Sequence, residues 1–195
     1  DSPPPGFKIN LDEIYHDLNK RAPGKDDIST KRCESDIPHI LCGLVDNVTT
    51  GTPLCAIIKN KDSRPSDYEN ISNLLRPGHA DYTSFIKYKG FNDKRGGGHS
   101  SGRLTAPVVF AGAICKQILN NTGVKIGSHI FSIHDIKDTE FTKTDIKPQL
   151  LDELKNSDFP VINNNIKQKM IDKISSANDS QNSVGGILEC AITGL

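Results

Sequence analysis

Apolar residues recur at helical spacing close to the start of the chain. Leu11, Ile14 and Leu18 lie on one face of a helix that we predict over residues 10–21, with Asn10 as its N-cap. The Pro-Gly pair that follows this stretch is typical of a helix stop.

Runs rich in β-branched residues predict four strands, over residues 37–45, 53–58, 124–133 and 185–192. Asp-Asn and Thr-Thr-Gly between the first two runs indicate a turn. A further helical spacing, formed by Ile166, Met170, Ile171 and Ile174, predicts a helix over about residues 163–177.

The remaining stretches are polar and poorly periodic, and we predict loops over residues 25–36, 62–68 and 134–162. Between them, residues 69–75 predict a short helix that presents Arg76.

The length of 195 residues predicts a single domain over residues 1–195, with a real core. No apolar run is long enough to span a bilayer, and no secretory signal is recognisable. Because 24 basic residues balance 24 acidic ones, nucleic acid is not an expected partner.

The five cysteines are scattered and form no Cys-x-x-Cys pair. This usage is typical of a cytosolic protein, and we expect reduced, buried thiols.

Basic residues gather between Arg76 and Gly112, where only Asp81 and Asp93 are acidic. The basic members are Arg76, Lys87, Lys89, Lys94, Arg95 and Arg103. Because the whole chain is balanced, this local surplus indicates a site for an anion.

A glycine-rich loop at residues 95–103 lies inside this basic stretch and leads into a predicted helix. We expect Thr105 to cap that helix, Pro107 to lie in its first turn, and the apolar run 108–114 to be buried. A glycine loop before a helix N-terminus is suited to binding an anion.

Two nucleotide-binding patterns fit the loop poorly. The P-loop spacing runs from Gly97 to Gly102, but Arg103 and Leu104 stand where Lys and Ser or Thr are needed. The dinucleotide pattern fails because Ser101 replaces its third glycine. A nucleotide-dependent phosphotransferase is therefore a weaker alternative.

Two signatures in this stretch give a family resemblance. Residues 76–83 read RPGHADYT, and residues 93–106 read DKRGGGHSSGRLTA, close to the pattern D-x-R-G-G-G-R-S-S-A-R-E-T-A. On these residues the chain resembles the chorismate synthases. The similarity extends to residues 19–24, 49–53 and 58–62, and so covers most of residues 6–119.

The resemblance implies an α+β fold, a layered sandwich with helices packed between β-sheets. It implies a cytoplasmic homotetramer and a lyase of the shikimate pathway. The reaction is an anti-1,4 elimination of phosphate from 5-enolpyruvylshikimate 3-phosphate, giving chorismate. It requires reduced FMN, with NADPH as a reductant of the flavin, and involves no net redox change.

The resemblance implies that His79 faces the reduced flavin and manages protons, a task that suits an imidazole. The alternative is a loop histidine bonded within its own turn. The resemblance also implies that Arg76, Arg103 and Arg21 bind the anionic substrate, and that Arg21 lies at the cofactor as well. The alternative for each is a solvated surface arginine.

The flavin-contacting segment of the family corresponds to His99, Ser100 and Ser101. The chain departs from the family pattern here, because His99 replaces Arg, Gly102 replaces Ala and Leu104 replaces Glu. The alternative is a simple flexible loop.

A further family arginine falls at Asp27. We expect that this reversal of charge either weakens the Arg21 end of the site or shifts the task to Lys25 or Arg32. We expect the other histidines to be structural or at the surface, and no metal site among them: His16, His39, His129 and His134.

The chain begins without Met, and the family carries a G-E-S-H-G motif before this point and a long half after it. We therefore expect a fragment that makes no chorismate by itself. The alternative function is a non-catalytic module that binds FMN or an anion without turnover.

Overall fold

The structure, a computed structural model, describes residues 2–24, 28–29, 34–61, 66, 70–71 and 74–195. The helices are α1 (Leu11–Arg21), α2 (Asp81–Lys87), α3 (Thr105–Asn121), α4 (Pro148–Asn156) and α5 (Asn164–Asp179). The strands are β1 (Pro38–Cys42), β2 (Leu44–Val45), β3 (Val48–Thr49), β4 (Cys55–Ile58), β5 (Lys125–Ile133), β6 (Ile136–Lys137) and β7 (Gly186–Thr193). The α+β class is confirmed.

Helix α1 agrees with its prediction. The Asn10 side chain accepts a hydrogen bond from the Asp12 N–H at 3.0 Å and donates one to Glu13 at 3.3 Å. Ile14 and Leu18 are buried. The cap and the apolar face therefore act as the sequence indicated.

Helix α3 departs from its prediction in two ways. Thr105 is the first helical residue rather than the cap, and its hydroxyl donates to the Gly102 carbonyl at 2.7 Å. Phe110 is buried, but Val108 is 69% exposed, so the apolar run is buried on one face only. The predicted cap and the predicted burial of the whole run were wrong.

The first predicted strand is split by Gly43, which has a φ of +92°. A Cβ at Gly43 would lie only 2.6 Å from the Cα of Leu54, so glycine is needed where the two segments approach. Beyond it, β2 and β3 pair through Asp46 and Asn47, which have φ values of +51° and +63°. Positive φ at both central residues is typical of a tight hairpin.

Two larger strand pairings organise the described chain. Strand β1 pairs antiparallel with β4, and β5 is the central strand of the sheet β6–β5–β7. Helices α1 and α3 pack on the inner side of the β1–β4 ladder, and α3 also contacts β5. Helices α4 and α5 pack against β5. None of the helices so described is long and apolar enough to cross a bilayer.

The polar stretch predicted as a loop over residues 134–162 contains helix α4. Pro148 lies in its first turn, and Leu151 and Leu154 are buried. This helix has only 9 residues, too few for a helical spacing of apolar residues to be recognised in the sequence. Helix α2 was missed for the same reason. Much of the predicted loops 25–36 and 62–68 and of the predicted helix 69–75 lies outside the described residues.

The cysteine prediction was wrong in part. The described cysteines are free but exposed, because they lie on outer faces of strands and of α3: Cys42, Cys55, Cys115 and Cys190. Cys33 lies outside the described residues.

His129 on β5 is fully buried between two carboxylates. Its Nδ1 lies 3.0 Å from Oδ2 of Asp138, and its Nε2 lies 2.9 Å from Oε2 of Glu189. Oε2 of Glu189 also accepts the N–H of Phe141 at 2.8 Å. The histidine is thus structural, and it ties β5 to β7 and to the segment after β6.

Candidate functional site

Arg21 and Arg103 converge on one buried carboxylate. Nη1 of Arg21 forms an ion pair with Oδ2 of Asp36, and Nη1 of Arg103 lies 2.9 Å from Oδ1 of the same residue. The Asp36 side chain is 0% exposed, whereas the two arginine side chains are 17% and 18% exposed. The structure therefore brings together two of the three arginines predicted to bind substrate.

Two separate segments, residues 34–36 and Lys59, hold Arg103 in place. Its Nη1 lies 2.6 Å from Oε2 of Glu34, and its Nη2 donates to the Lys59 carbonyl at 2.8 Å. Asp36 lies two residues before β1, and Lys59 lies one residue after β4. Paired ends of the β1–β4 ladder thus supply the acceptors.

Arg103 contacts Glu34 and Asp36 through ion pairs rather than through well-directed hydrogen bonds. Oε2 of Glu34 and Oδ1 of Asp36 are buried and lie within ion-pair distance of Nη1, but neither meets hydrogen-bond geometry. Two guanidinium groups and two carboxylates balance each other. An anion would therefore be bound through directed arginine donors rather than through a surplus of charge.

Arg21 also touches the start of α3. Its Nε donates to the Thr105 hydroxyl at 3.0 Å. This contact holds the Arg21 guanidinium group beside the N-terminus of α3, where the helix dipole favours a bound negative charge.

The glycine loop adopts a conformation suited to an anion. The backbone of Gly97 is in the right-handed helical region, with φ −72° and ψ −18°, whereas Gly98 has a positive φ of +49°. Within the described part of the chain, the N–H groups of Gly97, Gly98 and His99 make no hydrogen bond. Successive free N–H groups in such an alternation form a concave anion site.

The predicted flavin segment divides into two parts. The side chains of His99 and Ser100 are exposed in a 3₁₀ turn over Gly98–Ser100. The hydroxyl oxygen of Ser101 instead accepts the N–H of Arg103 at 3.2 Å. Ser101 therefore shapes the turn that carries Arg103.

Arg76, the third predicted arginine, clamps an aspartate. Its Nε and Nη2 donate to the two carboxylate oxygens of Asp81 at 2.7 and 3.0 Å, and its backbone N–H donates at 3.0 Å. These bonds lower the pKa of Asp81 to about 2. Asp81 begins helix α2, so the clamp fixes the RPGHAD turn onto that helix.

His79 lies in this turn with its side chain exposed. Its backbone N–H donates to the Arg76 carbonyl at 3.4 Å, which closes the turn next to the Arg76–Asp81 pair. No bond of the ring to the described residues competes for its nitrogens.

A cleft opens next to the same pair. It is lined by Arg76, Asp81, Phe85, Asn92 and Lys94 among others, and by neither Arg21 nor Arg103. Oδ1 of Asn92 is buried without a partner among the described residues.

Glu34, Asp36 and the Lys59 carbonyl were missed by sequence reasoning. The available signal for Glu34 and Asp36 was a pair of acidic residues, separated by one residue, just before an apolar strand. A backbone carbonyl acceptor cannot be identified from a sequence, because every residue has one. Lys25, Asp27 and Arg32 lie outside the described residues.

The family model for chorismate synthase matches residues 1–195. A chorismate synthase of Pyrococcus abyssi is 41% identical over 187 residues, which are 95% of this chain and 50% of the relative. One from Dehalococcoides mccartyi is 38% identical over 190 residues, which are 97% of this chain and 51% of the relative.

A solved structure agrees. A crystal structure of chorismate synthase superposes with a TM-score of 0.72 at 26% identity, covering 98% of this chain and 52% of the other. The chain thus spans about half the length of the relatives that it matches. Over that span, it belongs to the chorismate synthase family.

Proposed function

We propose that the chain binds the substrate and cofactor of the chorismate synthase reaction. That reaction eliminates phosphate from 5-enolpyruvylshikimate 3-phosphate and gives chorismate. The observation that supports this most is the pair Arg21 and Arg103, held side by side by Asp36 next to an anion-binding glycine loop. It fits a substrate that carries a phosphate and two carboxylates.

The arginines bind and orient the substrate in this proposal. A guanidinium group stays charged at all working pH values and offers forked donors that match a carboxylate or phosphate. Arg21 pairs with one oxygen of the Asp36 carboxylate, and Arg103 lies against the other. Guanidinium donors of this pair that do not bond Asp36 would orient a bound anion.

Reduced FMN is the proposed cofactor, and the described residues fit its phosphate. The N–H groups of Gly97, Gly98 and His99 make no hydrogen bond within the described part of the chain and would bind that phosphate, with His99 and Ser100 in the same turn. When bound, the flavin supplies electron density that the elimination requires without net oxidation. NADPH is the proposed reductant of the flavin.

His79 is the proposed group for proton transfer. Its exposed imidazole lies on a turn that is fixed by the Arg76–Asp81 clamp, which limits its range of positions. Arg76 contributes to the site by holding this turn.

The proposed assembly is a cytoplasmic homotetramer. Large exposed apolar side chains provide surface for it, among them Leu41, Ile57, Val108 and Leu188. Sedimentation equilibrium measures the oligomeric state.

The test has two arms. In the first, the chain is titrated anaerobically with reduced FMN and with substrate. In the second, it replaces the matching 187 residues of the Pyrococcus abyssi relative, and chorismate formation by the chimera is followed. Binding with turnover supports the enzyme. Binding of FMN by a folded chimera without turnover supports the alternative, a non-catalytic flavin or anion module. Absence of both kinds of binding contradicts the proposal.

A further inference from the structure

We propose that Cys42 and Cys55 form a redox-active pair that closes to an intramolecular disulfide. The two residues are register partners across the antiparallel ladder of β1 and β4. Both side chains are exposed, and both thiols are free. The inference does not depend on the proposed function.

The backbone spacing suits a disulfide. Directly opposite residues of antiparallel strands have Cα atoms about 4.5–5.5 Å apart, within the range of about 4.4–6.8 Å found for disulfides. Their Cβ atoms are about 4.5–5.5 Å apart, compared with about 3.5–4.5 Å in a disulfide. Closure therefore needs only a small approach of the strands.

The side chain of Cys42 already reaches across the ladder. Its Sγ–H donates to the carbonyl of Pro53 at 3.4 Å, and Pro53 lies two residues before Cys55. Next to the pair, Gly43 and Leu54 are pressed together, since a Cβ on Gly43 would lie 2.6 Å from the Leu54 Cα. Two independent contacts thus hold these segments close at the end of the ladder.

The geometry also favours these two cysteines over the other described ones. Cys190 on β7 faces Ser128 across its own ladder, and Cys115 lies on the exposed face of α3. Neither has a cysteine as a register partner. The register of β1 and β4 shifts between Ile40 and Cys42, which places Cys42 on the exposed side with Cys55.

The chemistry requires a disulfide oxidant, for which oxidised glutathione is the probe. One thiolate of the pair attacks glutathione disulfide, forming a mixed disulfide and releasing one glutathione thiolate. The second thiolate then attacks the protein sulfur of the mixed disulfide and releases a second glutathione. Two protein thiols are oxidised and one glutathione disulfide is reduced to two thiols.

Closure would fix the ladder that supports Arg103. The pair lies at one end of the β1–β4 ladder, and Asp36 and Lys59 flank the other end. Oxidation would therefore hold together the two strands whose ends supply acceptors to that arginine.

The experiment uses C33S as the background, because Cys33 is the remaining cysteine and its own pairing must not interfere. The chain is equilibrated with oxidised glutathione and mapped by non-reducing peptide mass spectrometry. We expect a linked peptide pair joining Cys42 to Cys55, with loss of two hydrogens and no retained glutathione. C42S and C55S each lack one thiol of the pair, so each should keep glutathione on the other cysteine of the pair, at least about tenfold more than the background protein does. In the background protein, the second thiol releases the glutathione, because intramolecular closure proceeds at millimolar effective concentration.

C115S serves as the matched control and should leave the linked peptide unchanged. Dithiothreitol should restore both thiols. Stable glutathione on both Cys42 and Cys55 of the background protein, without a linked peptide, would overturn the proposal. So would a linked peptide that joins either cysteine to Cys115 or Cys190 instead.

Discussion

Oδ1 of Asp36 lies 2.9 Å from Nη1 of Arg103, while Oδ2 of the same carboxylate pairs with Arg21. One buried acid therefore sets the spacing of two arginines that are 82 positions apart in the sequence, from residue 21 to residue 103. Without that charge, two neighbouring guanidinium groups would repel each other in a region of low dielectric.

Asp36→Asn should destabilise the chain by about 3–5 kcal/mol, because it removes the charge that the two arginines share. Asparagine tolerates the positive φ of +42° at this position, so the effect isolates the charge from the backbone. Urea unfolding measures the change.

Asp93→Asn is the matched control for that measurement. Asp93 pairs with Arg95 on the surface, where solvent screens the pair, so this substitution should change the free energy of unfolding little. Equal effects of the two substitutions would show that Asp36 is not the link between the arginines.

The Asp81 carboxylate should titrate with a midpoint of about 2, because the Arg76 side chain and backbone N–H both bond its charged form. A pKa lowered in the folded state contributes stability that is present above the unfolded value of 3.8 and is lost as pH falls toward 2. Carbon-13 NMR of the carboxyl group follows this titration.

Arg76→Gln should move that midpoint back toward 3.8. A midpoint near 3.8 in the unsubstituted chain would mean that the clamp is not formed in solution.

His129→Gln should destabilise the chain by about 3–5 kcal/mol, because it removes the buried ring that lies between Asp138 and Glu189. The pKa of Glu189 lies below its usual value because the Phe141 N–H and then His129 bond its charged form. Thermal or urea unfolding measures the loss.

His134→Asn is the control, since His134 is exposed, bonds only its neighbour Asp135 among the described residues, and has a φ of +54° that asparagine tolerates. Its effect should stay within about 0.5 kcal/mol. A loss at His129 no greater than that at His134 would contradict the buried bridge.

Much of the fold could be predicted from the sequence, because long elements repeat their pattern often enough. Helix α1, with a side-chain cap and a regular apolar face, and strand β5 lie where periodicity placed them. The short helices α2 and α4 offer too few turns for this. The break at Gly43 depends on the approach of Leu54, which is a tertiary contact that no local pattern contains.

The site residues, too, could be predicted only in part from the sequence. Arg21 and Arg103 could be named from motifs, but their common partner Asp36 depends on where β1 begins in space. The predicted cap at Thr105 failed because its hydroxyl donates to the Gly102 carbonyl and accepts from Nε of Arg21 instead. Motifs thus identified the charged donors, whereas the acceptors that orient them required the fold.

His79→Ala, introduced at the matching position of the full-length Pyrococcus abyssi relative, should lower chorismate formation about 10²-fold or more. This is the usual loss when a general acid–base group is removed. FMN binding should persist, because the glycine loop is unchanged. Turnover close to that of the unsubstituted relative would make the histidine a structural part of its turn.

The measurement that tests the central claim most directly is calorimetric titration of the chain with 5-enolpyruvylshikimate 3-phosphate in the presence of FMN. Arg103→Ala should weaken substrate binding by about 2–5 kcal/mol, thirtyfold or more, because an anion would lose a charge-assisted bond. Arg95→Ala, in the same loop but 76% exposed and paired only with Asp93 among the described residues, should bind as the unsubstituted chain does. Equal affinity of the Arg103→Ala and unsubstituted chains would contradict the account.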